Sequence, residues 1–221
     1  MHATHLMAHE RRAAPMTDTS PIVFVVDDDI SVRESLELLI RCAQWQPRLF
    51  ESAQDFLAQP RTQVPSCLVL DINLPDLNGL DLQAAIANER PDTPIIFITG
   101  YGDIPLTVRA MKAGAVEFLT KPFNDEVLLQ AITDALQRSR AALAQQDHLR
   151  ALQSAHASLT PREQEVMARV VAGHMNKVIA ADLAISEITV KAHRGKAMRK
   201  MKARSLADLV KMAALLAKPL D

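Results

Sequence analysis

FVVDDDIS, residues 24–31, runs from an apolar strand-like segment straight into three carboxylates, Asp27, Asp28 and Asp29. Two unit charges about 4 Å apart repel by roughly 4 kcal/mol at an effective dielectric near 20, a large share of a domain's net stability. Such a concentration of charge calls for a cation beside it. Further along, CLVL (67–70), IIFI (95–98) and AVEFL (115–119) read as strands like IVFVV (22–26), with a weaker strand at PRLF (47–50). Between them lie helical patterns, such as Val32, Leu36, Leu39, Ile40 and Ala43. Five strands alternating with helices indicate an α/β domain, a flavodoxin-like parallel sheet covered on both faces with strand order 2-1-3-4-5.

That order makes a second statement about the acids. Ligand sites in such sheets lie beyond the C-terminal ends of the strands, at the point where strand order reverses. Asp27 and Asp28 end the first strand, Asp71 the third and Thr99 the fourth, and Lys121 follows the fifth. All should meet on one rim. Mg²⁺ takes oxygen ligands in near-octahedral geometry from one or two carboxylates, with water and phosphate oxygens completing the shell. It would offset the repulsion, keep the carboxylates ionised and leave positions open to a phosphoryl group. Asp71 is then placed as a nucleophile able to form an acyl phosphate, with Lys121 as a point charge and Thr99 as a hydroxyl donor for phosphate oxygens.

The net charge of −1 conceals two unlike halves. Residues 1–157 carry 13 Lys and Arg against 20 Asp and Glu, whereas residues 158–221 carry 12 against 6. Different partners are implied for the two parts. The two cysteines, Cys42 and Cys67, have no metal-ligand or redox spacing and read as buried small hydrophobes in a reducing cytosol. No apolar run approaches the roughly 20 residues that span a bilayer, and the first twenty residues lack the apolar stretch of a secretory signal. A cytoplasmic protein without a membrane partner is expected. Residues 1–20, with His2, His5 and His9, read as a disordered tail, leaving both Met1 and Met16 as candidate starts.

The basic half opens on LTPREQEV (159–166), where Thr160, Pro161 and Glu163 have the spacing of a capping box and Gly173 supplies a stop. Asn176 is placed to cap a short helix, KVIAADLA, and Ser186 to cap a second after a turn through Ile185. Two short helices joined by a tight turn are a helix-turn-helix, whose second helix enters the major groove of DNA. KAHRGKAMRKMKAR, 191–204, carries seven Lys or Arg and no acid, as that role requires. From Asn124 or Asp125 onward a helical pattern continues without Gly or Pro until Pro161. It is a long helix merging into a linker; a coiled-coil dimer seam is one use for it, although Gln, Arg and His interrupt the pattern. The chain thus divides into a tail (1–20), a front domain (21–137), a helical linker (138–157) and an all-α back domain (158–221).

VVDDD (25–29), VLDINLPDLNG (69–79), IIFITGYGD (95–103) and AVEFLTKPF (115–123) together resemble the receiver domain of bacterial two-component response regulators. The resemblance implies that Asp71 accepts a phosphoryl group from a sensor histidine kinase. It implies that Asp27, Asp28, Asp71 and the Asn73 carbonyl hold Mg²⁺, that Thr99 and Phe118 form the switch, and that Lys121-Pro122 is a cis peptide. Tyr101 falls where the family tunes the lifetime of the acyl phosphate. The segment from Leu159 to Val210 resembles the LuxR-type DNA-binding domain, and the whole chain the NarL/FixJ kind of regulator, with the FixJ branch as the better match. By position, Lys191 and Arg194 would read base edges and Ala192 lie close to bases, while Asn176, Lys177, Thr189 and Lys196 would contact phosphates. Ala184 and Lys202 stand where the family commonly has turn glycines, which puts both turns in question. A homodimer on promoter DNA, with RNA polymerase as a further partner, completes the expectation. Two rivals remain at this level: a receiver-like interaction module that is never phosphorylated, and an aspartyl phosphohydrolase, which would want a second acid where Asn73 stands.

Overall fold

The computed structural model describes residues 20–75 and 77–217, except the side chain of Asn88. The tail histidines and Met16 lie outside the described residues. The front of the chain alternates β1 (Ile22–Val26), α1 (Ile30–Cys42), β2 (Gln46–Phe50), α2 (Ala53–Leu57), β3 (Ser66–Asp71), α3 (Gly79–Glu89), β4 (Ile95–Thr99), α4 (Ile104–Lys112) and β5 (Glu117–Thr120), followed by the 33-residue α5 (Asp125–Ala157). The strands form one parallel sheet in the order β2-β1-β3-β4-β5, as expected from the sequence. The fifth strand pairs from Glu117 rather than Ala115, since its register against β4 begins at Ile96 opposite Glu117.

Why the central strands β1, β3 and β4 are almost wholly apolar is explained by burial on both faces. Phe24, Val26, Leu68, Leu70 and Phe97 pack on one side with Phe56, Leu82, Ile86 and Ala110. Val23, Val25, Cys67, Val69, Ile96 and Ile98 pack on the other with Leu36 and Ile40 of α1 and Leu128, Ile132 and Ala135 of α5. Cys67 is buried as expected, but Cys42, at the end of α1, is exposed. Ser139 of α5, wholly buried, donates from Oγ to the Asp92 carbonyl at 2.6 Å and accepts from the Ser66 amide at 3.0 Å. Two orphan main-chain groups at the lower edge of the sheet are thereby satisfied.

By its internal packing the chain falls into two units, the first ending at Leu143 and the second beginning at Ala144. The second contains α6 (Pro161–Val171), α7 (Asn176–Asp182), α8 (Glu187–Lys200) and α9 (Leu206–Leu216) around Leu152, Val166, Met167, Val170, Ile179, Val190, Ala197, Met201 and Leu209. The capping box at Thr160 and Glu163 is formed, and Gly173 terminates α6 in the left-handed region at φ 88°. Asn176 is not the cap of α7. Met175 occupies that position with extended backbone and no side-chain bond, and Asn176 is the first helical residue. Ser186 does cap α8, accepting from the Thr189 amide at 3.1 Å. At the two turns where glycine is missing, Ala184 (φ 52°) and Lys202 (φ 57°) adopt the left-handed conformation regardless.

Candidate functional site

Register brings the acids together. β1 and β3 pair with Val26 opposite Leu70, so that the next residue of each strand, Asp27 and Asp71, emerges at the same level of the rim. Both are buried, and Lys121 Nζ bridges them, 2.7 Å from Asp27 Oδ2 and 2.9 Å from Asp71 Oδ2. The Lys121-Pro122 peptide is cis. Burial raises the pKa of Asp27 above the carboxylate norm against the opposing bond from Lys121. Burial also works to lower the pKa of Lys121, but its bonds to Asp27 and Asp71 outweigh that and leave it raised, so the ammonium stays charged.

Asp28 differs from both. It is exposed and forms no hydrogen bond or ion pair among the described residues, yet a carboxylate oxygen from each of Asp27, Asp28 and Asp71 lies within 4.8 Å of the others. Two buried carboxylates sharing one lysine, beside a third with all its lone pairs open, are a donor set suited to a hard divalent cation. Asp29, the remaining acid, serves the helix. Its Oδ1 accepts from the Ser31 amide and hydroxyl at 2.8 and 2.7 Å, which lowers its pKa and caps α1.

The neighbouring groups hold the rim in shape. Asp27 Oδ1 accepts from the Asp29 amide at 3.0 Å, and Asp71 Oδ1 from the Asn73 amide at 3.1 Å. Arg33, six residues on from Asp27 in the second turn of α1, donates to the Asp27 carbonyl at 2.6 Å. Sequence reasoning missed Arg33, whose only signal was a basic side chain within reach of the acidic turn. Thr99, buried, donates to the Tyr101 carbonyl at 3.2 Å and accepts from Tyr101 N and Asn73 Nδ2. Its hydroxyl is thus engaged with the β4–α4 loop and with Asn73. Phe118 is half-buried, its ring 6.4 Å from that of Phe97. Tyr101 is 85% exposed.

Within the second unit, Val190 and Ala197 turn α8 toward the core, while Lys191, Ala192, Lys196 and Arg199 are exposed. Arg194 follows Val190 by four positions and is half-buried on the flank of the inward stripe. Thr189 Oγ1 lies 2.8 Å from Ser186 Oγ in the cap. Lys177 is exposed, and Asn176 is half-buried with Oδ1 unpartnered. Lys200 is committed to the fold: Nζ donates to Glu163 at 2.7 Å and to the Ser158 carbonyl at 2.9 Å.

Residues 23–133 match the family model of the response regulator receiver domain, and residues 157–213 that of the bacterial regulatory proteins of the luxR family. The chain belongs to the two-component response regulators that join a receiver to a LuxR-type DNA-binding domain. It is 52% identical over 195 residues to nodulation protein W of Bradyrhizobium diazoefficiens, covering 88% of this chain and 86% of that one. It is 42% identical over 198 residues to the transcriptional regulatory protein FixJ of Rhizobium meliloti, covering 90% and 96%. Among solved structures, the response regulator StyR superposes with a TM-score of 0.75 at 48% identity over 88% of this chain and 98% of that one. This response regulator is therefore a phosphorylation-dependent, DNA-binding transcriptional regulator of a two-component system. Among the described residues no helix is long and apolar enough to cross a membrane.

Proposed function

We propose that Asp71 is the phosphoryl acceptor, that Asp27, Asp28, Asp71 and the Asn73 carbonyl hold Mg²⁺, and that Lys121 and Thr99 take up the oxygens of the transferred group. The observation carrying this reading is the bridging of Asp27 and Asp71 by Lys121 at 2.7 and 2.9 Å, with the unpartnered Asp28 carboxylate beside them. When bound, Mg²⁺ neutralises charge on the carboxylates and on the incoming phosphoryl oxygens. A carboxylate oxygen of Asp71 attacks phosphorus in line, the P–N bond to a kinase phosphohistidine breaks, and the histidine nitrogen leaves with the electron pair. Lys121, already charged, exchanges part of its bonding to Asp71 for a phosphate oxygen.

The phosphate then competes with Tyr101 for the Thr99 hydroxyl. Thr99 leaves the loop, Phe118 turns inward behind it, and the surface of α4 and β5 changes. On α4, Ile104, Val108 and Met111 are exposed at helical spacing, an apolar face suited to pairing two receivers as a homodimer. Dimerisation raises the avidity of two α8 helices for adjacent half-sites of promoter DNA without new base contacts. Lys191 and Ala192 face base edges and Arg194 approaches them from the flank, while Asn176, Lys177, Thr189 and Lys196 contact phosphates. A sensor histidine kinase, RNA polymerase and a cytoplasmic location follow as partners and place.

Incubation with Mg²⁺ and acetyl phosphate, followed by a phosphate-affinity gel, tests the reading. Wild type should shift and Asp71→Asn should not. No Asp71-dependent shift would leave the inert interaction module; steady turnover of small phosphate esters would favour the phosphohydrolase, against which the amide at Asn73 already argues.

A further inference from the structure

The exposed surface of α8 is not simply basic. Ile188, in the first turn of the helix, is 80% exposed. At about 100° per residue, Ile188, Ala192, Gly195 and Arg199 all fall within about 40° of the direction opposite the buried Val190. They form one line along the outer face. Lys191 lies on one side of it and Lys196 on the other, both exposed.

Two of these residues are hard to account for within the fold. An isoleucine left in water forgoes the stabilisation that burial of its side chain would give. Glycine inside a helix is destabilising by about 1 kcal/mol relative to alanine. Gly195 offers no packing in return, since a Cβ there would meet only the tip of the Arg199 side chain at 3.6 Å, and its φ is not positive. Both features fit a surface that another molecule covers closely. The flanking cations select a polyanion, and an outward line that is apolar and small at its N-terminal end suits the floor of the major groove, where the helix N-terminus meets base edges.

We propose that Ile188 reads the 5-methyl group of a thymine in each half-site, with Ala192 and Gly195 forming the smooth ridge that lets α8 seat deeply enough for the contact. The proposal rests on the reading of α8 as the DNA-contacting helix. In the major groove the thymine methyl is the apolar feature a side chain can recognise, and aliphatic contact is the means. Ile188 is therefore a specificity-determining residue alongside Lys191 at the base edges, whereas Lys196 contributes the affinity common to many sequences.

The full chain, treated with Mg²⁺ and acetyl phosphate, is used to select from a random duplex library. The selected duplex is then remade with uracil replacing thymine one position at a time. Wild type should lose about fourfold in affinity at one thymine per half-site, the effect of one methyl group. Ile188→Ala should be weaker on the thymine duplex by a similar factor or somewhat more and should no longer distinguish uracil from thymine there. Gly195→Ala should melt at higher temperature and bind thymine and uracil duplexes with equally reduced affinity. An Ile188→Ala variant that still separates thymine from uracil as wild type does overturns the proposal, as does a Gly195→Ala variant that binds as tightly as wild type. An Ile188→Ala variant unchanged on every duplex assigns the side chain to a protein partner and also overturns it. If wild type enriches no duplex, the assignment of α8 to DNA fails first, and this one with it.

Discussion

Ala184 and Lys202 show what single residues bear for the sake of the turns around α8. Both sit in the left-handed region, at φ 52° and 57°, where a Cβ crowds the neighbouring carbonyl by about 1–2 kcal/mol. Glycine relieves that crowding but is freer in the unfolded chain, which takes back part of the gain. Ala184→Gly should therefore stabilise the second unit by about 1 kcal/mol, read as a shift in its urea midpoint without a change in slope. Glu163 carries the opposite kind of contribution. The bond from Lys200, then the Thr160 amide, lower its pKa from 4.5 to about 2. A carboxylate with a depressed folded pKa contributes stability that is complete above its unfolded value and disappears as pH falls through the folded one. The second unit should thus lose stability progressively between pH 4.5 and about 2. Glu163→Gln should be less stable than wild type at neutral pH and flatter across that acid window, as followed by the methyl resonances of Val166 and Val190, which belong to that unit's core.

At the scale of elements, α5 is held to the sheet by more than its apolar face. Ser139→Ala would leave the Ser66 amide and the Asp92 carbonyl buried without their partner, at a cost of about 2 kcal/mol. Urea unfolding followed by Trp45, the chain's one tryptophan, should show that loss in the first unit. A serine amid a helical apolar pattern gives no hint of such a bond in the sequence, because its partners are 73 and 47 residues away. What was legible depended on local rules. Strands covered on both faces read as unbroken apolar runs, and the caps at Thr160 and Ser186 follow from side chains that bond three residues on. Asn176 misled by one position, since its side chain suits a cap but the backbone places Met175 there instead. At the rim, sequence order placed Asp27, Asp28, Asp71, Thr99 and Lys121 at strand ends. It could not show that Asp29 serves α1 or that Thr99 is bonded to Tyr101, because both depend on loop geometry.

For the whole molecule, the division of charge into an acidic front and a basic back makes the salt dependence of DNA binding a test of which cations reach the duplex. If a phosphorylated dimer neutralises about six phosphates, log affinity should fall with log salt at a slope near −5. Not every lysine of the basic run should count toward that slope. The Lys200 ammonium is bonded to Glu163 and the Ser158 carbonyl, whereas Lys196 is exposed and faces away from the core. If Lys196 contacts a phosphate in each of two copies, as proposed, Lys196→Met should flatten the slope by about 2. Lys200→Met should leave the slope near that of wild type while lowering the thermal stability of the second unit, because it strands the buried Glu163 carboxylate. Fluorescence anisotropy of a labelled promoter duplex titrated with the phosphorylated chain at several salt concentrations measures both slopes. An equal flattening by the two substitutions would show that Lys200 abandons Glu163 on binding, and that the second unit rearranges its α6–α8 contact when it meets DNA.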